Sequence, residues 1–213
     1  MYTSLLQFGL LCFVSLFTVT DPVGLLGVYV PMTSRLSHDE SRRVALRATF
    51  TAWIVLMMFA LFGRLIFDIF GISIDSLRIV GGVVFFIMGY EMLEARLTRT
   101  VADGQSVSEY IEDIAITPLG VPLIAGPAGI TTTVVLINQA PGAVEKGVVA
   151  AAITLVMAVT FVFLIGARRA MHMLGPSGNK ILQRVMGLIL MAFAVDFFIA
   201  GLRPIVHSFM ITP

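Results

Sequence analysis

The sequence predicts an all-α membrane protein: six transmembrane helices arranged as two inverted three-helix repeats, with the first and fourth helices broken near the midplane. Three observations carry that expectation. The 213-residue chain is 58% hydrophobic and only 13% charged, with a mean hydropathy of +0.97. It holds six apolar stretches long enough to cross a bilayer. It also matches itself at several informative positions when shifted, without gaps, by 105 residues.

A soluble domain is about a quarter charged, so this chain lacks the polar surface to cover a globule in water. Its net charge of +1 provides no basic field for nucleic acid. Three scattered histidines and a single cysteine, Cys12, offer no metal- or cofactor-ligand set and no intrachain disulfide. The first apolar run is read as a retained span: Met1–Ser4 has no basic residue, and no small-residue cleavage site follows.

A helix needs roughly 20 apolar residues to cross the hydrocarbon core. Segments at about 4–33, 48–70, 77–95, 115–138, 147–166 and 182–202 meet that length. Runs such as Ala150–Ile165 are continuously apolar, unlike the alternating strands of a transmembrane barrel. The loops after spans one, three and five hold Arg35, Arg42, Arg43, Arg47, Arg96, Arg99, Arg168, Arg169, Lys180 and Arg184; the other side has only Arg64, Arg78, Lys146 and Arg203. The basic side is expected to be cytoplasmic, which puts both termini outside.

One long polar loop divides the chain into a first repeat, 1–95, a cytoplasmic linker, 96–114, and a second repeat, 115–213. The linker carries the turn residues Asp103-Gly104-Gln105-Ser106 and an acidic, helix-like piece around Glu109–Asp113. Three spans per half force the second half to enter the membrane inverted. At the 105-residue shift, Asp21-Pro22-Val23-Gly24 falls on Gly126-Pro127-Ala128-Gly129, Gly82 on Gly187, and Glu91 on Asp196. Weak internal symmetry of this kind marks inverted-repeat transporters.

Each Pro-x-Gly break lies about 11 residues, or on the order of 16 Å, from the cytoplasmic end of its span, close to the midplane. Proline removes a helical hydrogen bond and glycine weakens the helix further. The freed backbone groups need polar partners in hydrocarbon. After Gly126-Pro127, the N–H groups of Ala128, Gly129 and Ile130 form a half-helix N-terminus suited to a carboxylate. Thr131, Thr132 and Thr133 can offer hydroxyls to a ligand, or bond back to their own helix.

A carboxylate at membrane depth costs at least about 2.5–3.5 kcal/mol, so Asp21 is a candidate for substrate contact and proton coupling. It is also a good cap for a half-helix starting at Pro22. Asp196 and Glu91 are further proton-coupling candidates. Glu91 could instead reach interfacial water, and Asp196 could pair with Arg64 or Arg78. Arg64 and Asp68 are spaced to pair with each other. The twelve methionines and sixteen phenylalanines read as lipid-facing and packing residues.

The stretch from Phe17 to Gly24 with Pro31-Met32-Thr33, and above all Pro118–Thr132, resembles the first- and fourth-span motifs of the MarC family, also called the SnatA or small neutral amino acid transporter family. Gly81-Gly82 through Glu91-Met92-Leu93 is similar to its third span and Gly187–Leu190 to its sixth. The resemblance implies an inner-membrane protein with inverted three-span repeats that moves glycine, alanine and similar amino acids, coupled to protons. Many members have Asn where this chain has Asp21, which bears on coupling and charge preference.

The expected substrate-binding residues are therefore Asp21, Pro22, Val23, Gly24, Gly126, Pro127, Ala128, Gly129, Ile130, Thr131 and Thr132, lining a site small enough for small side chains. The expected partners are small neutral amino acids, protons and membrane lipid, not nucleic acid. No cofactor and no catalytic role are expected. A passive channel or structural membrane protein is the rival reading. An intramembrane aspartyl enzyme using Asp21 and Asp196 is disfavoured because the two acids lie at different depths.

Overall fold

A computed structural model describes residues 5–34, 36–94 and 106–211. Arg35, Arg96, Arg99 and the turn Asp103-Gly104-Gln105 lie outside that range, as do the side chains of Arg168 and Arg169. Among the described residues there is no β-strand.

Helices α1 (Leu5–Thr20) and α2 (Pro22–Thr33) make one 29-residue span interrupted at Asp21. Helix α3 (His38–Phe70) starts before the apolar stretch because Ser37 and Glu40 form a capping box, and it stops at Gly71, whose φ of 60° only glycine adopts freely. Helix α4 (Ile74–Leu93) is capped by Ser73. Helix α5 (Val107–Ile114) opens on a second capping box, Ser106 with Glu109. In both boxes the serine N–H and hydroxyl hold the glutamate below the ordinary carboxylate range.

Beyond α5 the chain from Ala115 to Ile124 is irregular. Thr117 (φ −131°, ψ 120°) and Val121 (φ −136°, ψ 124°) leave helical geometry, each directly before a proline, where the ring disfavours the α conformation. Helix α6 (Pro127–Gln139) then starts afresh, inclined 55° to the segment Val107–Ile124. Helical backbone next runs over α7 (Ala143–Ile211).

Helix α7 is not one rod. A straight helix from Thr154 to Gly201 would extend roughly 70 Å. Yet Thr154 accepts a hydrogen bond from Trp53 Nε1 at 3.0 Å, and Gly201 abuts the Asp75 carbonyl. Between Trp53 and Asp75 lie only about 25 Å of α3 and a short turn. The chain therefore doubles back between Ala167 and Lys180, giving two spans, Ala143–Ala167 and Lys180–His207.

Among the described residues, five stretches are long and apolar enough to cross a membrane, and the bent pair of α5 with its continuation and α6 supplies a sixth when counted as one span. The two expected breaks differ in kind. In the first span a single residue interrupts the helix, whereas in the fourth the approach to the break leaves helical geometry three times, at Thr117, Val121 and Ala125.

The core is built from narrow stripes. Phe8, Cys12 and Leu16 of α1 and Val44, Ala45, Ala48, Ala52 and Leu56 of α3 are almost fully buried. Large side chains left uncovered by protein, such as Leu61 and Phe62, face outward, as a lipid-embedded bundle requires. The tightest crossing is between α4 and the span Lys180–His207. A Cβ on Gly82 would stand 2.7 Å from the Ala194 carbonyl oxygen and 2.8 Å from the Phe198 nitrogen. One on Gly187 would stand 2.6 Å from the Gly89 oxygen and 2.8 Å from the Leu93 nitrogen. Small residues are what let membrane helices approach this closely.

At the end carrying Arg42, Arg43 and Arg47, α5 ties the halves together. The Tyr110 hydroxyl donates to the Met32 carbonyl at 3.2 Å, Arg47 pairs with Glu112 at 2.5 Å, and Ile111 and Ile114 are buried beneath.

Candidate functional site

The two breaks face a common cavity of about 320 Å³. Thr18, Val19, Thr20, Asp21, Gly24, Leu25 and Val28 of the first span form one side, and Leu123, Gly126, Ala128 and Gly129 of the fourth form another. Phe85 of α4 and Met186, Ile189, Leu190, Phe193 and Phe197 of the last span complete it.

Asp21 sits in the left-handed region at φ 43° and ψ 67°, where Asp and Asn are the usual non-glycine residues. Its N–H still reaches Phe17 O and its carbonyl accepts from Leu25 N, both at 3.0 Å, so backbone hydrogen bonding continues on both sides of the break and the two helices count as one span. Its Oδ1 accepts the Gly24 N–H at 3.0 Å and caps α2. A side chain on Gly24 would collide with Asp21 Oδ2. Pro22 has no N–H, so Thr18 O loses its helical donor, and it too belongs to a lining residue. The Thr20 hydroxyl is buried without a hydrogen-bond partner among the described residues.

The second break lacks such a cap. Gly126 is extended (φ −82°, ψ 174°) and no side chain caps α6. The Ile130 N–H, expected to be a free donor, is instead committed to Gly126 O at 2.9 Å. That leaves the N–H groups of Ala128 and Gly129 as the donors of the open first turn, and both residues line the cavity. Gly126 has no room for a side chain: a Cβ would meet Pro122 O at 2.5 Å and the Phe85 ring at 3.3 Å.

Of the residues expected from sequence, Asp21, Gly24, Gly126, Ala128 and Gly129 border the cavity. Pro22 is buried and Val23 faces outward. Pro127 packs against Gly81, and Ile130 is buried. Thr131 and Thr133 are buried with unpartnered hydroxyls, so they do not bond back to their own helix, and Thr132 is half-buried beside them.

Glu91 is half-buried on α4, away from the cavity lining. Asp196 is uncovered on the last span and makes no ion pair among the described residues; Arg64 pairs with Asp68 at 3.8 Å and Arg78 with Asp75 at 3.0 Å. Asp21 is the one charged residue among the described lining residues.

The sequence reading missed Thr18, Thr20, Phe85 and the wall from the last span. Phe85, Met186, Phe193 and Phe197, read as lipid-facing or packing residues, border the cavity. The 105-residue shift held a signal for some of them: Thr18 and Leu123, Asp21 and Gly126, Gly24 and Gly129, and Phe85 and Leu190 are lining residues related by it.

Among known proteins, the model of the MarC family integral membrane protein matches residues 6–206. A UPF0056 membrane protein of Methanocaldococcus jannaschii is 35% identical over 209 residues, 97% of this chain and 92% of that one. The UPF0056 membrane protein YvbG of Bacillus subtilis is 34% identical over 194 residues, 90% and 92% of the two chains. A UPF0056 membrane protein of Buchnera aphidicola is 31% identical over 212 residues, 99% and 100%. No solved structure matches. The chain belongs to the MarC family of integral membrane proteins.

Proposed function

We propose that this MarC-family protein is a secondary transporter of small neutral amino acids of the glycine and alanine class, coupled to protons and without enzymatic activity. The observation that carries the reading is the pairing of an acid and an open helix end across one cavity. The ammonium of a zwitterion would meet the Asp21 carboxylate and the Thr18 carbonyl. Its carboxylate would meet the Ala128 and Gly129 N–H groups at the positive end of α6. An anion without an ammonium would leave Asp21 unpaired beside it, so the site disfavours purely anionic ligands.

The reading includes an inverted repeat, 1–95 and 115–213 flanking the linker. The glycine crossing supports it. Gly82 against Ala194 and Phe198 becomes, on shifting each residue by 105 in its own direction, Gly187 against Gly89 and Leu93, which is the second observed contact. A two-fold relation between halves produces such reciprocal pairs. That residues of both breaks line one cavity fits such a relation, and a site between repeats is what alternating access by their rocking would use. With the basic loops in the cytoplasm, both termini lie outside the inner membrane.

The test is uptake of labelled alanine and glycine by the purified protein in proteoliposomes. The reading expects saturable uptake that accumulates substrate when a pH gradient is imposed. Non-saturating flux indifferent to the gradient would instead identify a channel.

A further inference from the structure

Resting on the zwitterion site above, we propose that the aliphatic and aromatic wall of the cavity is a side-chain subsite, which extends the substrate range to neutral amino acids with apolar side chains of leucine or methionine size. The cavity is lopsided. Its polar groups gather at the two breaks, whereas Met186, Ile189, Leu190, Phe193 and Phe197 repeat at helical spacing along one face of the last span and present only carbon and sulfur to the space. Phe85 closes the wall from α4, its ring 6.1 Å from that of Phe197.

Size points the same way. At about 320 Å³ the space falls at the lower end of drug-sized ligand sites, about 300–1,000 Å³. A glycine held at the breaks has no side-chain atom to place against the wall and leaves it uncovered. A side chain of three or four heavy atoms covers it. Exclusion falls on the other side of the site: the space at Gly126 and Gly24 is closed by Pro122 O, Phe85 and Asp21, so the small residues fix where the backbone of the substrate lies, and the wall fixes what extends from it. Side chains with charged or amide ends find no partner on this wall, since none of its residues carries a polar hydrogen-bonding side chain.

The experiment is calorimetric titration of the full-length protein in detergent with glycine, alanine, 2-aminobutyrate, norvaline, leucine, methionine and glutamine. Affinity is expected to rise about four-fold per added methylene, or about fifteen-fold from alanine to norvaline, with leucine and methionine tighter than glycine and glutamine weaker than methionine. In Ile189→Trp the ratio of leucine to glycine affinity should fall at least about ten-fold. Binding of glycine and alanine with flat or falling affinity towards leucine overturns the subsite and leaves the transporter reading standing. Binding of no amino acid overturns both. The wild-type series decides the matter even if the tryptophan variant does not fold.

Discussion

The two breaks are related by sequence position yet are built differently, and the difference explains the site. At Asp21 a single left-handed residue interrupts a span that otherwise continues, and the break carries its own anion, which caps the helix beyond it. At Gly126 an irregular approach and a 55° inclination leave the following helix with no cap at all. The first helix end is electrically answered from within the chain; the second is open to a ligand. Two identical breaks would offer a ligand two like ends, whereas this pair offers one acidic and one electropositive face, the arrangement on which the proposed zwitterion site rests.

The largest effect is expected from filling the open break. Gly126→Val places carbon where Pro122 O and Phe85 already stand, and alanine binding should be abolished, with calorimetry showing no heat above dilution. Persisting affinity would mean that the substrate does not enter between the breaks. Next comes the acidic break. Asp21→Asn keeps the left-handed conformation and an acceptor for Gly24 N–H but loses the charge. Alanine binding should weaken by about 1–3 kcal/mol, and accumulation in proteoliposomes should lose its dependence on pH. If accumulation keeps its pH profile, Asp21 acts only as a cap, and Glu91 or Asp196 becomes the proton-carrying candidate.

A smaller effect follows from Gly24→Ala, which pushes on Asp21 Oδ2 without removing the charge. Alanine affinity should fall by about 1 kcal/mol while pH-dependent accumulation survives. Loss of the pH dependence here would show that the position of the carboxylate, not its charge alone, sets coupling. The smallest effect concerns a carboxylate cap outside the membrane, which serves as the control for Asp21. Glu40 is held below the ordinary carboxylate range by Ser37, so the stability it contributes is fully present above the ordinary glutamate value of about 4.3 and is lost as pH falls through its lowered value. Glu40→Gln should flatten the pH dependence of thermal unfolding at the acid end while leaving alanine transport at neutral pH unchanged.

Much of this architecture was legible because membrane helices announce themselves by length: no water is present to satisfy the backbone, so every span is a long apolar run. The breaks were legible for the same reason, since each joins a proline to a glycine two residues on, at Pro22 and Gly24 and at Pro127 and Gly129, inside a long apolar run. What the sequence did not reveal was the form of each break. Asp21 read as a cap and as a charge at membrane depth, but residue type alone does not fix the left-handed dihedrals it adopts, nor that its side chain stays exposed at the cavity. The irregular stretch from Ala115 to Ile124 was hidden because Pro118 and Pro122 lie in a run as apolar as any helix.

The site was half legible. Backbone-exposing residues such as Gly126 and Gly129 are marked by their chemistry, whereas Phe193 and Met186 look the same whether they face lipid or a cavity. Only the packing of the last span against α4 and the two breaks makes them cavity lining, and Phe193 still keeps much of its surface exposed. Thr20 was missed because a threonine in an apolar helix ordinarily bonds back to its own carbonyls, as Thr49 and Thr160 do here.

The central claim, that the acidic and the open break hold opposite ends of one molecule, is tested most directly by comparing alanine with propionate, which has the carboxylate but no ammonium, on wild type and on Asp21→Asn. Competition against labelled alanine supplies both affinities. The account predicts that wild type binds alanine far more tightly than propionate, and that Asp21→Asn weakens alanine by about 1–3 kcal/mol while propionate binds no worse or better than before. Equal loss of both ligands in the variant would contradict it, because Asp21 would then be supporting the cavity and not answering the ammonium.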